Sequence, residues 1–343
     1  MTQSETMQTK IRDILDALAH GQNIKQEECA FFMQSLLEDH VESAQTGAFL
    51  MGLSQKGITS DEITGAVRII RQYGTKIKAP DKTVDCCGTG GDGLKTLNIS
   101  TAVAIVSAAC GIPVAKHGNR AASSQSGAAD VLEQLGVKLT DDTALLENAL
   151  SSLNFAFLMA PHHYKNFASI APVRKALGIK TIFNILGPLL NPAGAKIQLI
   201  GVFCKSLLEP VAHSLKSLGS ERAWLVHASN GMDEISLAGD TFVTSLENHR
   251  IESFTISAAD FGLPSYSPEE IRGGSATENA KALKDLLNGM PGAYRDTVLA
   301  NTAAVLHIAG KAETLKQGVE IAKDVIDSGA PLSLLENYIA MLK

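Results

Sequence analysis

The chain is short of basic charge. Its 343 residues carry 30 Lys and Arg against 36 Asp and Glu, a formal net charge of −6. That balance argues against a protein whose main work is coating nucleic acid, which needs a basic face. Long apolar runs are missing too. The weakly polar stretch Thr101 to Ala115 is broken by Ser107, Gly111 and Pro113 and falls short of a bilayer span. The N-terminal MTQSETMQTKIRD has no basic segment followed by an apolar one, so no secretory signal is visible. A cytoplasmic chain without a membrane partner is the expectation. The five cysteines (Cys29, Cys86, Cys87, Cys110 and Cys204) lack C-x-x-C spacing, which suits a reduced compartment and offers no zinc site. All five read as packing residues. No G-x-S-x-G or Ser-His-Asp order is present, so covalent catalysis has no support.

What is there is a globular composition, 45% hydrophobic, in a chain too long for one ordinary core. Ile11, Ile14, Leu15 and Leu18 recur at helical spacing, and Phe32, Leu36 and Leu37 continue the pattern. Phe49, Leu50 and Leu53 mark a third helix. Thr59 and Glu62 form a capping box that opens a fourth through Ile63, Val67 and Ile70. Four amphipathic helices in the first part of the chain make a small helical unit. From Thr83 the pattern changes to short apolar runs at Thr83–Cys87, Ile112–Ala115, Phe155–Met159, Ile197–Phe203 and Ala223–Val226, separated by helical segments. Strand–helix alternation of this kind implies an α/β sheet with helices on its faces. Two β-like pieces, Thr241–Leu246 and Ile251–Ile256, and four closing helices complete the chain.

Chemistry gathers in four places. Gly88-Thr89-Gly90-Gly91-Asp92-Gly93 follows the first strand and precedes a helix, so its backbone amides can approach an anion closely. Its spacing is neither the dinucleotide fingerprint nor the P-loop. As a bland alternative it is a tight turn, with Asn98-Ile99-Ser100-Thr101 a simple helix cap. A second cluster, Lys116-His117-Gly118-Asn119-Arg120-Ala121-Ala122-Ser123-Ser124, follows the second strand, where Lys and Arg can bind phosphate oxygens. Between Gly93 and Ala129 the charged residues are Lys95, Lys116 and Arg120, with no acid. The two loops together read as one polyanion pocket at the carboxyl ends of adjacent strands. Third, Asp233-Glu234 beside such a pocket suggests Mg²⁺, which takes one or two carboxylates plus ligand phosphates. Asp92, an acid inside the Gly loop, favours a sugar phosphate over a bare anion. Fourth, Arg174 sits in small and apolar company and suits a carboxylate.

These motifs, GTGGD at 88–92, NIST at 98–101, KHGNRAASS at 116–124, PVRKALGIKTIFNILGPLLNPA at 172–193 and GMDEIS at 231–236, resemble the anthranilate phosphoribosyltransferase family of tryptophan biosynthesis, in order along nearly the whole chain. The resemblance implies a Mg²⁺-dependent homodimer, joined through its helical domain, that combines anthranilate with phosphoribosyl pyrophosphate. It implies the fold of type II nucleoside phosphorylases, a helical domain on an α/β domain with a mostly parallel sheet. The expected division is a helical domain over 1–78, with a returning segment at about 165–195, and an α/β domain over 79–164 and 196–343. Carried over by position, Gly88, Gly91, Asp92, Thr96, Asn98, Ile99, Ser100, Thr101, Ala128 and the segment from Lys116 to Ser124 fall at the phosphoribosyl pyrophosphate site. Gly88, Asn119, His163 and Arg174 fall at the anthranilate site; Ser100, Asp233 and Glu234 match metal ligands. Two departures stand out. The family often has Ser at Ala128, and commonly has two histidines where this chain has His163 and Tyr164. A pyrimidine nucleoside phosphorylase of the same fold is the near alternative, and a non-catalytic nucleic-acid-binding relative the distant one. The KHGNR segment and the acidic pair favour the transferase.

Overall fold

A computed structural model of the chain describes residues 3–121, 125–167 and 170–343. Four helices come first: α1 (Gln3–Ala19), α2 (Gln26–Leu37), α3 (Ser43–Lys56) and α4 (Ser60–Tyr73). The capping box opening α4 forms as the sequence implies: Glu62 donates its amide to Thr59 Oγ1, and Thr59 donates its amide to the Glu62 carboxylate. The α/β part follows with β1 (Val84–Gly88), α5 (Ile99–Ala109), β2 (Val114–Gly118), α6 (Ala128–Gln134), α7 (Thr143–Leu153) and β3 (Phe155–Met159). Three short helices follow, α8 (Ala160–His163), which packs by β3, and α9 (Ala171–Leu177) and α10 (Ile182–Leu186), which return to α3 and α4. The chain returns to the sheet through β4 (Ile197–Gly201), α11 (Leu208–Ser217), β5 (Arg222–Ala228), β6 (Thr241–Glu247) and β7 (Arg250–Ile256). It ends with α12 (Ala258–Phe261), α13 (Ala276–Leu287), α14 (Ala293–Ile308), α15 (Leu315–Asp327) and α16 (Ala330–Met341).

Among the described residues the strands form one sheet in the order β3-β2-β1-β4-β5-β6-β7. The first five are parallel; β6 and β7 add an antiparallel hairpin turned by Asn248 and His249, both in left-handed conformation. Period-2 alternation splits the buried side chains between the two faces. Ile197, Leu199, Trp224 and Val226 join the core under α5 and α14. Ile200, Val202, Ala223 and Leu225 join the core of α1–α4, together with Ile182, Ile185, Leu186 and Leu189 from the returning segment. The helical unit therefore packs directly on one face of the sheet.

Strand order reverses at β1 and β4, which run side by side although β2 and β3 intervene in sequence. The crevice beyond the carboxyl ends of strands at such a reversal is where open α/β sheets bind ligands. Gly88 and Gly201 are register partners there, at the last positions of β1 and β4. Several element ends shift by one or two residues, and the second strand departs most from its sequence expectation. It begins later than Ile112 and carries on through Lys116, His117 and Gly118. Lys116 and His117 read as loop by hydropathy, but here each finds a buried partner.

Candidate active site

A cleft of about 330 Å³ opens at the strand reversal. Its lining joins the Gly loop (Gly88, Gly90, Gly91), the end of β2 (Lys116 to Gly118) and the returning segment (Arg174, Phe183, Pro188). Both polyanion loops of the sequence thus meet in one place. Asp233 docks over the two register-paired glycines: a Cβ on Gly88 would lie 2.2 Å from Asp233 Oδ2, and one on Gly201 1.5 Å from its carbonyl oxygen. Neither position admits a side chain while that loop is in place. The Gly90 amide donates to Asp233 Oδ2 at 2.7 Å. Asn301, in the middle of α14, clamps the same loop by accepting from the Ile235 amide and donating to its carbonyl.

Asp233 and Glu234 are both raised above the ordinary carboxyl range. Burial, then the charge of Asp92, raises Asp233. Burial and the charge of Asp233 push Glu234 up to about 8, against the pull of Lys116 and of the Ser100 amide donating to it. Ser100, Asp233 and Glu234 are therefore brought together as expected. Among the described residues no group of three or more His, Cys, Asp or Glu side chains encloses a metal by itself. Two mutually repelling carboxylates, with Ser100 of the cleft lining next to Glu234, are nevertheless a donor set that fits a hard cation completing its shell with phosphate and water.

Lys116 is 2% exposed and donates one hydrogen bond, to the His117 carbonyl at 3.1 Å. Burial opposes its charge, but Cys87, Cys86, Asp85 and Glu234 around it outweigh that effect and hold it above the usual lysine range. Asp85, buried in β1, accepts from the His117 amide at 3.1 Å. His117 is buried and pushed down to about 3 by burial, so its ring is neutral. Its Nδ1 lies 3.0 Å from the Gly187 carbonyl, which only accepts. Nδ1 therefore carries the proton, and Nε2, without a partner among the described residues, is a bare acceptor.

The opposite wall is held by its carbonyls. Gly187, Pro188, Leu189 and Leu190 accept in turn from His117, Gln198, Arg71 and Tyr164. Four elements thus pin one strap carrying Gly187 and Pro188 into the cleft. Arg174 points in from α9, half-buried, with its guanidinium 5.3 Å from the Phe183 ring centre. Burial presses it below the usual arginine range, and among the described residues it has no acidic partner.

Residues 80–332 match the glycosyl transferase family a/b domain, and residues 12–74 the helical bundle domain of that family. The anthranilate phosphoribosyltransferase of Azospirillum brasilense is 49% identical over 333 residues, which span 97% of this chain and 93% of the relative. The chain belongs to the anthranilate phosphoribosyltransferase family. The crystal structure of the family member from Thermus thermophilus superposes with a TM-score of 0.91 at 37% identity, covering 96% of this chain and 99% of that one. The Saccharomyces cerevisiae enzyme, solved in complex with PRPP and Mg, gives 0.88 at 27% identity, covering 100% and 99%. Membership sets aside the nucleoside phosphorylase and the nucleic-acid-binding alternatives.

Within this family member the expected site residues fall into three groups. Gly88, Gly91, Ser100, Lys116, His117, Gly118, Asn119, Ala128 and Arg174 line the cleft, with Asp92, Asp233 and Glu234 clustered at its edge. Arg120 and Ala121 also line it, but their donors are committed: Arg120 to Asp130 and Glu133, and the Ala121 amide to Asp130. The acid-free window of the sequence ends one residue before Asp130, and that carboxylate folds back onto it. A third group supports the cleft from behind. Asn98 makes no cap bond to α5; its side chain accepts from Asn279 and donates to the Ser126 carbonyl. Ile99 and Thr101 are buried in α5, and Thr96 pairs with Arg272. His163 is buried outside the cleft lining, with burial lowering its ring. Ala122, Ser123 and Ser124 lie outside the described residues. Asp85, Gly201, Asn301 and Arg71 carry no motif. A lone Asn inside the apolar run of α14 is the one visible signal.

Proposed function

We propose that the chain transfers the phosphoribosyl group of phosphoribosyl pyrophosphate to the amine of anthranilate, releasing pyrophosphate. One observation carries the reading: a single cleft joins a Gly-loop and buried-lysine end to an unpaired arginine over an aromatic ring. The first end suits a diphosphate ester and the second an aromatic carboxylate. In the reaction the amine nitrogen bonds to the anomeric carbon, the bond to pyrophosphate breaks with its electron pair on the leaving group, and the nitrogen then loses a proton. Arg174 would orient the carboxylate, and Phe183 and Pro188 flank the ring, so the amine is presented in line. His117 Nε2 is free to accept from a donor on the ligand. Lys116 and the Gly-loop amides stabilise charge on the departing pyrophosphate. Anthranilate's amine is neutral at neutral pH, so no strong general base is required, and none lines the cleft among the described residues.

Ser100, Asp233 and Glu234 would hold Mg²⁺, with Asp92 alongside. Bound there, the metal supplies charge neutralisation at the diphosphate. The helical domain with its returning segment, about 1–78 and 165–195, forms the wall carrying Arg174, and the α/β domain forms the floor. Homodimerisation through the helical domain belongs to the same reading. No helix among the described residues is long and apolar enough to cross a membrane, and a cytoplasmic location fits a chain of free cysteines. The test follows loss of anthranilate fluorescence with and without phosphoribosyl pyrophosphate and Mg²⁺. Fluorescence should fall only when all are present, and Arg174→Ala should raise the anthranilate KM far more than that of the sugar substrate. No change for the wild-type chain rejects the function; equal KM effects reject the role of Arg174.

A further inference from the structure

Arg120 is the arginine that the sequence offers to phosphate, and the structure ties it to Asp130 and Glu133 on the surface. Lys116 lies deep beneath the cleft. A different cation reaches the mouth of the Gly loop, from the helical side. Lys180 immediately precedes Thr181, which caps α10, and Ser54 of α3 donates to the Lys180 carbonyl at 3.1 Å. Its backbone therefore belongs to the helical wall. Its side chain crosses to the other side: a Cβ placed on Gly91 would lie 3.4 Å from Lys180 Cε and 4.0 Å from Nζ. The ammonium rests 4.1 Å from the centre of the Phe203 ring, and the Phe203 amide donates to Thr89 Oγ1 at 3.0 Å. Phe203 thus holds the ammonium against the loop. Among the described residues no carboxylate is within ion-pair distance of Lys180.

The loop beneath it has Gly90, Gly91 and Gly93 at positive φ and without side chains, so a ligand can approach its backbone closely. An uncommitted ammonium over such a loop supplies the charge that a diphosphate needs and that Arg120 does not deliver. We propose that Lys180 is a binding residue for the diphosphate of the sugar substrate, contributed across the cleft by the helical wall. This rests on the phosphoribosyl-transfer reading. Its role is to grip the leaving group, so it acts on the sugar substrate and on pyrophosphate, and leaves the anthranilate end alone.

The experiment titrates inorganic pyrophosphate with Mg²⁺ into the full chain by calorimetry, for wild type, Lys180→Met and Lys180→Arg, and measures both KM values. Lys180→Met should weaken pyrophosphate about tenfold and raise the KM of phosphoribosyl pyrophosphate to match, the usual effect of losing one charge-assisted contact. The anthranilate KM should stay within about twofold, and Lys180→Arg should recover most of the loss. Unchanged pyrophosphate affinity in Lys180→Met overturns the assignment. So does a rise of both KM values together with a lowered melting temperature, which marks Lys180 as a packing residue on Phe203. The calorimetric titration needs no anthranilate, so it separates failure of Lys180 from failure of the transfer reading, which wild-type turnover decides.

Discussion

Lys56 and Lys116 both bury their ammonium groups, at 4% side-chain and 2% residue exposure, in opposite circumstances. Lys56, at the end of α3, bonds Glu62 at 2.7 Å, Asn23 at 3.1 Å and the Gly57 carbonyl at 2.9 Å. Glu62 accepts in addition from the amides of Ile24 and Thr59. Every strong group at that node has found its partner within the fold, and the node ties three helix ends together. Among the described residues Lys116 has one carbonyl partner and no acid within ion-pair distance, while Asp85 and Glu234 nearby are both raised, first by burial. A buried charge completed by its own neighbours fixes architecture. A buried charge left incomplete at the end of a strand keeps bonding capacity for a ligand.

The sharpest way to break this contrast is Lys116→Met. It should lower kcat/KM by about 100- to 1,000-fold, the range typical for removing a preorganised donor at developing negative charge. Its melting temperature should fall less than that of Lys56→Met. A loss of stability without a loss of turnover would make Lys116 a structural lysine and sink the comparison. Lys56→Met strands Glu62 as an unpaired buried carboxylate, so denaturant unfolding should show about 3–5 kcal/mol lost. Both KM values of the folded fraction should stay at wild-type levels; a specific rise in either would mean the node reaches the cleft.

The mildest test concerns Glu234. Its folded value of about 8 lies above the ordinary carboxyl range, so the folded state binds its proton more tightly than the unfolded state. Stability from this group is complete below the unfolded value of about 4.3 and is lost as pH rises toward 8. Without metal, the melting temperature of the wild-type chain should therefore fall between pH 5 and pH 8, and Glu234→Gln should flatten that slope. An identical slope in both proteins would remove Glu234 from the account.

Much of the molecule is legible in its residues. The short apolar run Phe155–Met159 and the helical period of Ala276–Leu287 place those elements to the residue, because each is bounded by turn or capping residues. The Thr59–Glu62 box is readable because capping is a local hydrogen-bond pattern. Gly88, Gly91, Lys116 and Arg174 stand out because few side-chain types can cradle a diphosphate or grip a carboxylate. Lys116 and His117 nevertheless read as loop. Their strand conformation rests on Asp85 in β1 and Gly187 on the strap, far away in sequence. The same distance hides Gly201, whose missing side chain makes room for the Asp233 carbonyl. Arg120 is visible as a cation but not as one already engaged by Asp130.

The sequence alone determined the class of fold, the family and the residue types of the cleft. Backbone periodicity is local, and phosphate and carboxylate chemistry restricts which side chains can serve. The tertiary structure decided which of those side chains are still free. It committed Arg120 and Asn98 to the fold, left Arg174 and Lys180 without acids among the described residues, and pressed Asp233 against two glycines. The physical reason is that availability depends on partners supplied by other segments of the chain. A charge satisfied across the fold and a charge waiting for a ligand have the same letter in the sequence.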